Sequence, residues 1–407
     1  MGIAKRIAAD MQASSWIRKM FEEGARLANE IGPDKVFDFS IGNPPEEPPE
    51  PVLCALREQV QKPAPGMHRY MPNGGFPEVR TRIAESVAKD SGTPIIANNV
   101  VMTTGAAGAM NVALKALLDP GDEVVILSPF FPEYLFYVAN HSGKVVVART
   151  RDDFHLDLEA LGRAVTGRTK VIIINSPNNP TGAVYSSEEL AGLGGLIQTL
   201  SKKFDRDIYV LSDEPYRKLL YDGIRLPHVF QYVENALIAM SHSRDLALAG
   251  ERIGYLVANS SCADLERLQN AMVFTNRTLG YVNAPALMQL VVAGLQDVSI
   301  DVAKYQMRRD LIYASLTEIG FRMAKPQGAF YFFPESPIPN DLEFIAAAIK
   351  RRILVVPGTG FGLPGYFRLS YSLPVEMIER SLDAWRSLAS DFGMKERGRG
   401  KNQEGKR

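Results

Sequence analysis

Six short stretches of this chain place small, aromatic, amide, acidic, hydroxyl and guanidinium side chains just after apolar runs. Gly105-Ala106-Ala107-Gly108 opens a helical pattern, and residues that small let backbone N–H groups approach an anion at a helix start. Phe130 and Phe131, in Ser128-Pro129-Phe130-Phe131-Pro132-Glu133-Tyr134, offer an aromatic face that can stack on a flat ring. Ser176-Pro177-Asn178-Asn179-Pro180-Thr181-Gly182 adds the Asn179 amide, and Ser212-Asp213-Glu214-Pro215-Tyr216 adds a carboxylate and a phenol. Ser241-His242-Ser243-Arg244 and Gly250-Glu251-Arg252 add hydroxyls and guanidiniums. Together these groups suit a flat, phosphorylated heteroaromatic ligand. Each piece alone has a plainer explanation: Asn-Pro-Thr-Gly is a turn signal, Asp213 could cap a helix, and paired phenylalanines fit a core. Their order and shared placement favour the functional reading.

Strands must present them. Short β-rich runs recur at Val100–Thr104, Glu123–Leu127, Lys144–Ala148, Lys170–Asn175, Asp207–Leu211, Ala236–Met240 and Ile253–Val257. Several are almost wholly apolar, which suits a sheet covered on both faces. Helical patterns such as Ser187–Lys202 lie between them, so the spacing predicts an α/β domain with one seven-stranded, mostly parallel sheet. Ligands bind beyond the carboxyl ends of such strands, where the chemical groups fall.

The flanks differ. Residues 1–30 show helical spacing, and Gly42-Asn43-Pro44-Pro45-Glu46-Glu47-Pro48-Pro49 cannot be regular helix or central strand. After about residue 290 the pattern predicts a smaller α+β unit. It comprises a long helical stretch Ala284–Glu318, a strand in Gly328–Phe333, helix 341–351, strands Ile353–Val356 and Phe367–Ser372, and helix 375–392. The expected division is 1–48 (arm and part of the small domain), 49–290 (large domain), 291–394 (small domain) and 395–407, a disordered basic tail.

The bulk numbers narrow the class. With 46 basic and 46 acidic residues, the formal net charge is zero, which argues against a nucleic-acid or anionic-membrane surface. No apolar run reaches the roughly 18 residues of a membrane span, the N-terminus lacks a signal-peptide core, and the expected compartment is the cytoplasm. Cys54 and Cys262 stand far apart in no C-x-x-C pattern and read as free thiols. His68, His141, His155, His228 and His242 are scattered, so no metal is expected. Gly358-Thr359-Gly360-Phe361-Gly362 lacks the spacing of a dinucleotide loop, and no nucleophile elbow is present.

The ordered set resembles the class I/II aminotransferases, pyridoxal-phosphate (PLP) enzymes of fold type I of the aspartate-aminotransferase kind. The motifs are S-P-N-N-P-T-G at 176–182, S-D-E-P-Y at 212–216, S-H-S-R-D-L-A-L-A-G-E-R-I-G-Y at 241–255 and R-L-S-Y-S at 368–372. Tyr70 in H-R-Y-M-P-N-G-G and Gly42 in S-I-G-N-P also match. The resemblance runs from about residue 35 to 390. It implies PLP as cofactor, transfer of an amino group between an L-amino acid and a 2-oxo acid, and a homodimer. By resemblance, Asp213 pairs with the pyridine nitrogen, Asn179 and Tyr216 hydrogen-bond the ring oxygen, and Phe131 stacks on the ring. The Gly105, Ala106 and Ala107 backbone, Ser241 and Arg252 hold the phosphate, with Tyr70 reaching it from the neighbouring subunit. Arg368 clamps the substrate carboxylate, and Gly42 leaves room for it.

One position departs. The family motif reads S-x-S-K, and here it is Ser241-His242-Ser243-Arg244. The family lysine forms the Schiff base with PLP and then shuttles a proton, and both jobs need a neutral amine. Arginine stays protonated. The chain therefore reads as an aminotransferase scaffold whose activity Arg244 abolishes. The alternatives are a non-catalytic PLP-binding homodimer and a PLP-dependent C–S lyase. His242 is the nearest alternative base, though a histidine there also fits an exposed loop or a packed position, and Lys218 would need a large displacement to reach the ring.

Overall fold

The computed structural model describes residues 2–12 and 16–395. The expected basic tail therefore lies outside the described residues except for Lys395. In chain order the strands are β1 (Phe37–Asp38), β2 (Val100–Thr103), β3 (Glu123–Ser128), β4 (Lys144–Arg149), β5 (Thr169–Asn175), β6 (Tyr209–Asp213), β7 (Ala236–Ser241), β8 (Gly254–Ala258), β9 (Tyr331–Phe332), β10 (Ile353–Leu354), β11 (Val356–Pro357) and β12 (Phe367–Ser370).

Seven of them form one sheet in the order β2-β8-β7-β6-β5-β3-β4. Only β8 runs antiparallel to its neighbours, and the remaining pairs are parallel. Alternate side chains feed two cores. Val125, Leu127, Ile172, Ile174, Ile238 and Met240 pack on one face, and Val124, Ile126, Val171, Ile173, Leu237 and Ala239 on the other. Continuous apolar strands follow because both faces must be dry. The edge strand β4 leaves Val147 half exposed.

The sequence placed these strands within two residues. Three of the strands, β3, β6 and β7, run on into the loop motifs and end at Ser128, Asp213 and Ser241. In β6 the ladder continues through Ser212 and Asp213, which pair with Ile238 and Ala239, so Asp213 is a strand residue with its backbone fixed. The helix Ser187–Phe204 starts with a capping box: Ser186 Oγ accepts from Glu189 N (3.2 Å), and the Glu189 carboxylate accepts from Ser186 N (2.8 Å).

Two predictions need correction. The helical stretch 284–318 is two helices, Ala286–Ala293 and Val302–Ile319. Gly294 ends the first, and Asp301 caps the second by accepting from Ala303 N at 3.1 Å. Between them Ile300 N donates to Asp245 O at 2.7 Å, which ties this break to the segment after Arg244. The strand 353–356 is also divided. Ile353–Leu354 pairs parallel with Phe37–Asp38, and Val356–Pro357 pairs antiparallel with Phe367–Arg368. One run of four apolar residues thus serves two small sheets. The second of these, β11-β12-β9, packs with the helices Val302–Ile319 and Val375–Asp391 in a third core rich in aromatics. The Pro-rich segment from Gly42 carries no regular structure until the helix at Glu50. No helix among the described residues is long and apolar enough to cross a membrane.

Candidate active site

A cavity of about 380 Å³ opens beyond the carboxyl ends of β5, β6 and β7, the location expected for a ligand in an open α/β sheet. Of the residues singled out in the sequence, it is lined by Gly42, Ala106, Ala107, Phe131, Asn179, Asp213, Tyr216, Ser241, Arg244, Arg252 and Arg368. They come from five separate strand ends, the Pro-rich segment and β12.

The acidic end is built around Asp213, which is 8% exposed. Tyr134 Oη donates to its Oδ2 at 2.6 Å, and Asn175 Nδ2 holds its backbone oxygen at 2.7 Å. Oδ1 is buried and has no hydrogen-bond partner, which is costly for a carboxylate unless a ligand supplies a donor. Burial pushes the carboxyl up to about 7, against the Tyr134 hydrogen bond that pulls it down. Phe131 lies beside this end, its ring edge-on to Tyr134 with centroids 5.7 Å apart.

A cradle lies next to it. Gly105 begins the helix Gly105–Leu117 at φ +77°, a conformation that favours glycine. A side chain there would meet the Arg252 guanidinium at 3.1 Å. Thr104 makes no side-chain cap bond, so the first-turn amides remain available. Arg252 donates to Ala249 O (3.0 Å) and Thr104 O (3.4 Å). Ser241 Oγ donates to Ser243 Oγ at 2.7 Å.

The basic end holds two guanidiniums. Arg368 is 2% exposed. It donates to Asn179 Oδ1 (3.0 Å) and Ser40 O (2.7 Å) and lies over the Tyr331 and Phe361 rings. Burial, and after it the like charge of Arg244, lowers its pKa below that of ordinary arginine. Arg244 donates to the Gly42 carbonyl oxygen and packs on the Phe330 and Tyr216 rings. Burial works against its charge, but the Tyr216 and Tyr331 phenols beside it outweigh that and hold its pKa above the usual arginine value. Gly42 is sterically required here, since a Cβ would stand 2.1 Å from Tyr331 Oη.

Among the singled-out residues, Gly105 is not itself part of the cavity wall but stands next to Ala106 and Arg252, which are, and Tyr70 lies outside it, 95% exposed. His242 and Lys218 do not line it either. His242 is fully buried with Nδ1 on Asp245 at 3.2 Å, and Lys218 Nζ sits on the same carboxylate at 3.0 Å. Sequence reasoning missed Tyr134, Asn175 and Tyr331. Tyr134 stands inside a quoted motif and Asn175 ends the strand run before one, and their position at a loop or strand end was the available signal. Tyr331 offered only an aromatic strand pattern. Among the described residues, no cluster of His, Cys, Asp and Glu is placed to hold a metal ion.

The family model for aminotransferase class I and II matches residues 34–384. The chain belongs to that family. It is 33% identical to a probable aspartate aminotransferase of Methanocaldococcus jannaschii, over 85% of this chain and 91% of that protein. It is 34% identical to the aspartate/prephenate aminotransferase of Thermus thermophilus, over 85% and 89%. Among solved structures, an aminotransferase of Eubacterium rectale superposes with a TM-score of 0.93 at 37% identity, covering 96% of this chain and 99% of that one. An aspartate aminotransferase of Thermus thermophilus superposes at 0.84 and 30% identity, covering 95% and 100%. The scaffold of this aminotransferase is therefore the fold-type-I one, and its family uses pyridoxal phosphate. The partnerless Asp213 Oδ1, the glycine-dependent cradle and the Phe131 face fit a phosphorylated pyridine. Among the residues lining the cavity there is no lysine, so a covalent link to the protein does not fit.

Proposed function

We propose that this aminotransferase holds pyridoxal phosphate by non-covalent contacts alone, and that Arg244, standing at the family's lysine position, silences amino-group transfer between an L-amino acid and a 2-oxo acid. The observation that carries this reading is the pairing of a buried, partnerless Asp213 oxygen with a guanidinium, in place of an amine, across the same cavity. When bound, the cofactor supplies an aldehyde and an electron-withdrawing ring.

Asp213 pairs with the ring nitrogen, and Tyr216 and the Asn179 amide bind the ring oxygen. Phe131 stacks on the ring. The Gly105, Ala106 and Ala107 amides hold the phosphate with Ser241 and Arg252. Arg368 takes the substrate carboxylate beside Gly42. Arg244 cannot act as the proton carrier, because a guanidinium keeps its protons at neutral pH. Tyr70 is exposed and outside its own cavity, so its contact with the phosphate calls for a second copy, and the working unit is a homodimer. Separate cores in the large sheet and around β9, β11 and β12 support a large and a small unit, with Met20 and Phe39 of the 1–48 segment in the small one, but Val291, Val292 and Leu295 pack in the large-sheet core, so the boundary expected at 290/291 falls later in the chain.

The test is Arg244→Lys. Borohydride treatment in the presence of PLP should fix a mass adduct on the variant and none on the parent chain. Transfer from amino acid to 2-oxo acid should rise by about 10² or more, the usual worth of a positioned acid–base group. A variant that gains the adduct but stays silent would overturn the silenced-enzyme reading and favour a PLP-binding homodimer without turnover.

A further inference from the structure

A second cavity, of about 530 Å³, lies between β7, β8, the helix Pro77–Ser91 and the segment 217–228. It shares no lining residue with the first. Ile238 of β7 and Val257 of β8, with Leu220, Ile224 and Leu226, give it apolar walls, and its size is that of an ordinary small-molecule site.

Two polar side chains in these walls are buried and unpaired. His228 is 4% exposed and Tyr255 7%. His228 Nδ1 accepts from Phe230 N at 3.3 Å, so the ring proton sits on Nε2. Burial, and after it the like charge of Arg217, pushes the His228 pKa down to about 3 and keeps the ring neutral. Among the described residues, neither the Nε2–H of His228 nor the O–H of Tyr255 meets a hydrogen-bond acceptor, and neither atom is sealed from the open space of the cavity. Both side chains feel the charge of Arg217, which brings the two donors to one part of the cavity. The cations around them are mostly committed. Arg217 bonds Glu214 at 2.8 Å and Asp90 at 3.2 Å, Lys218 bonds Asp245 at 3.0 Å, and Lys89 reaches Asp297 at 3.9 Å. Arg225, an exposed residue of the lining, has no ion-pair or hydrogen-bond partner among the described residues.

We propose that this second cavity binds a monocarboxylate with an apolar body, its carboxylate on the donors of His228 and Tyr255 with Arg225 as counter-charge, and its body against the β7–β8 wall. A buried donor without an acceptor is unfavourable, and a carboxylate, which only accepts and does so at two oxygens, satisfies both donors at once. The one uncommitted cation matches one negative charge. A bare inorganic anion would leave the apolar walls wet, so the ligand carries a body that covers them. The site stands directly behind the first cavity: Lys218 holds Asp245, the neighbour of Arg244, and Arg217 holds Glu214, the neighbour of Asp213. It requires neither PLP nor the chemistry that Arg244 stops.

Amide hydrogen exchange of the full chain tests this, titrated with phenylacetate against its neutral analogue phenylacetamide in the presence of saturating PLP. The readout is protection of the segment 217–228, which borders this cavity and not the first. Phenylacetate should protect it with a midpoint at least about tenfold below that of phenylacetamide, the scale of a charge-assisted hydrogen bond. Tyr255→Phe, which keeps the ring and removes the donor, should raise the phenylacetate midpoint about tenfold on the same scale. Arg225→Gln, at an exposed position, should raise it about threefold. Absence of protection up to about 10 mM, a preference over the amide below about threefold, or a midpoint that Tyr255→Phe leaves within about twofold overturns the proposal. The first two outcomes need no variant, so they stand even if a substitution impairs folding.

Discussion

The two ends of the cavity solve opposite problems. At the Asp213 end the protein satisfies nearly every polar atom itself, through Tyr134 and Asn175, and leaves a single acceptor, Oδ1, without a donor. At the Arg368 end it gathers donors and cations and provides only neutral partners for them. One end therefore waits for a single N–H at a defined point, and the other for negative charge. A ligand with a protonated ring nitrogen and a remote carboxylate can lie only one way round between them. Orientation comes from the separation of unsatisfied groups, and Arg244 shifts the basic end further toward charge without adding chemistry.

This contrast can be broken from either side. The largest effect is expected at Arg244, where lysine should restore covalent capture of PLP and raise transfer by about 10² or more. Next is Asp213→Asn, which removes the charge but keeps the shape. It should weaken PLP roughly 10- to 100-fold, the worth of a charged hydrogen bond. An affinity unchanged within about twofold would mean that Asp213 does not meet the ring.

A pH experiment sharpens the same point. In the ligand-free chain burial raises Asp213 to about 7, so the folded chain binds a proton that the unfolded chain has released. That contribution to stability is fully present below the ordinary carboxylate range and is lost as pH rises through about 7, with a slope of up to about 1.4 kcal/mol per pH unit. Unfolding titrations at pH 4 to 7 should show this slope in the parent chain and lack it in Asp213→Asn. Equal slopes would mean that Asp213 titrates normally. The smallest effect is expected for Tyr134→Phe. Without the hydroxyl, Asp213 should titrate still higher, and PLP affinity at neutral pH should fall roughly three- to tenfold, as for one ordinary hydrogen bond. A shift of the pH midpoint separates this from general loss of packing.

Much of this site could be read in the sequence because parallel strands end in loops, and the residue after each apolar run must face the crevice. That rule located Asn179, Asp213, Tyr216, Ser241 and Arg252 from the sequence, and the unbroken apolar run Val171–Ile174 indicated a sheet covered on both faces. The breaks inside 284–318 and 353–356 were passed over because apolar spacing runs through both. Gly294 and the Asp301 cap mark the first along the chain, whereas only the switch of partners at Val355 decides the second.

The sequence by itself determined the family, the order of the strands' chemical groups and the presence of arginine at position 244, since these depend on residue type and spacing along the chain. Tertiary structure alone decided which polar atoms remain unpaired. Tyr134 and Asp213 are 79 residues apart, and Ser40 and Arg368 are 328 apart. Whether a buried oxygen or guanidinium finds a partner depends on three-dimensional contact, for which linear spacing carries no information.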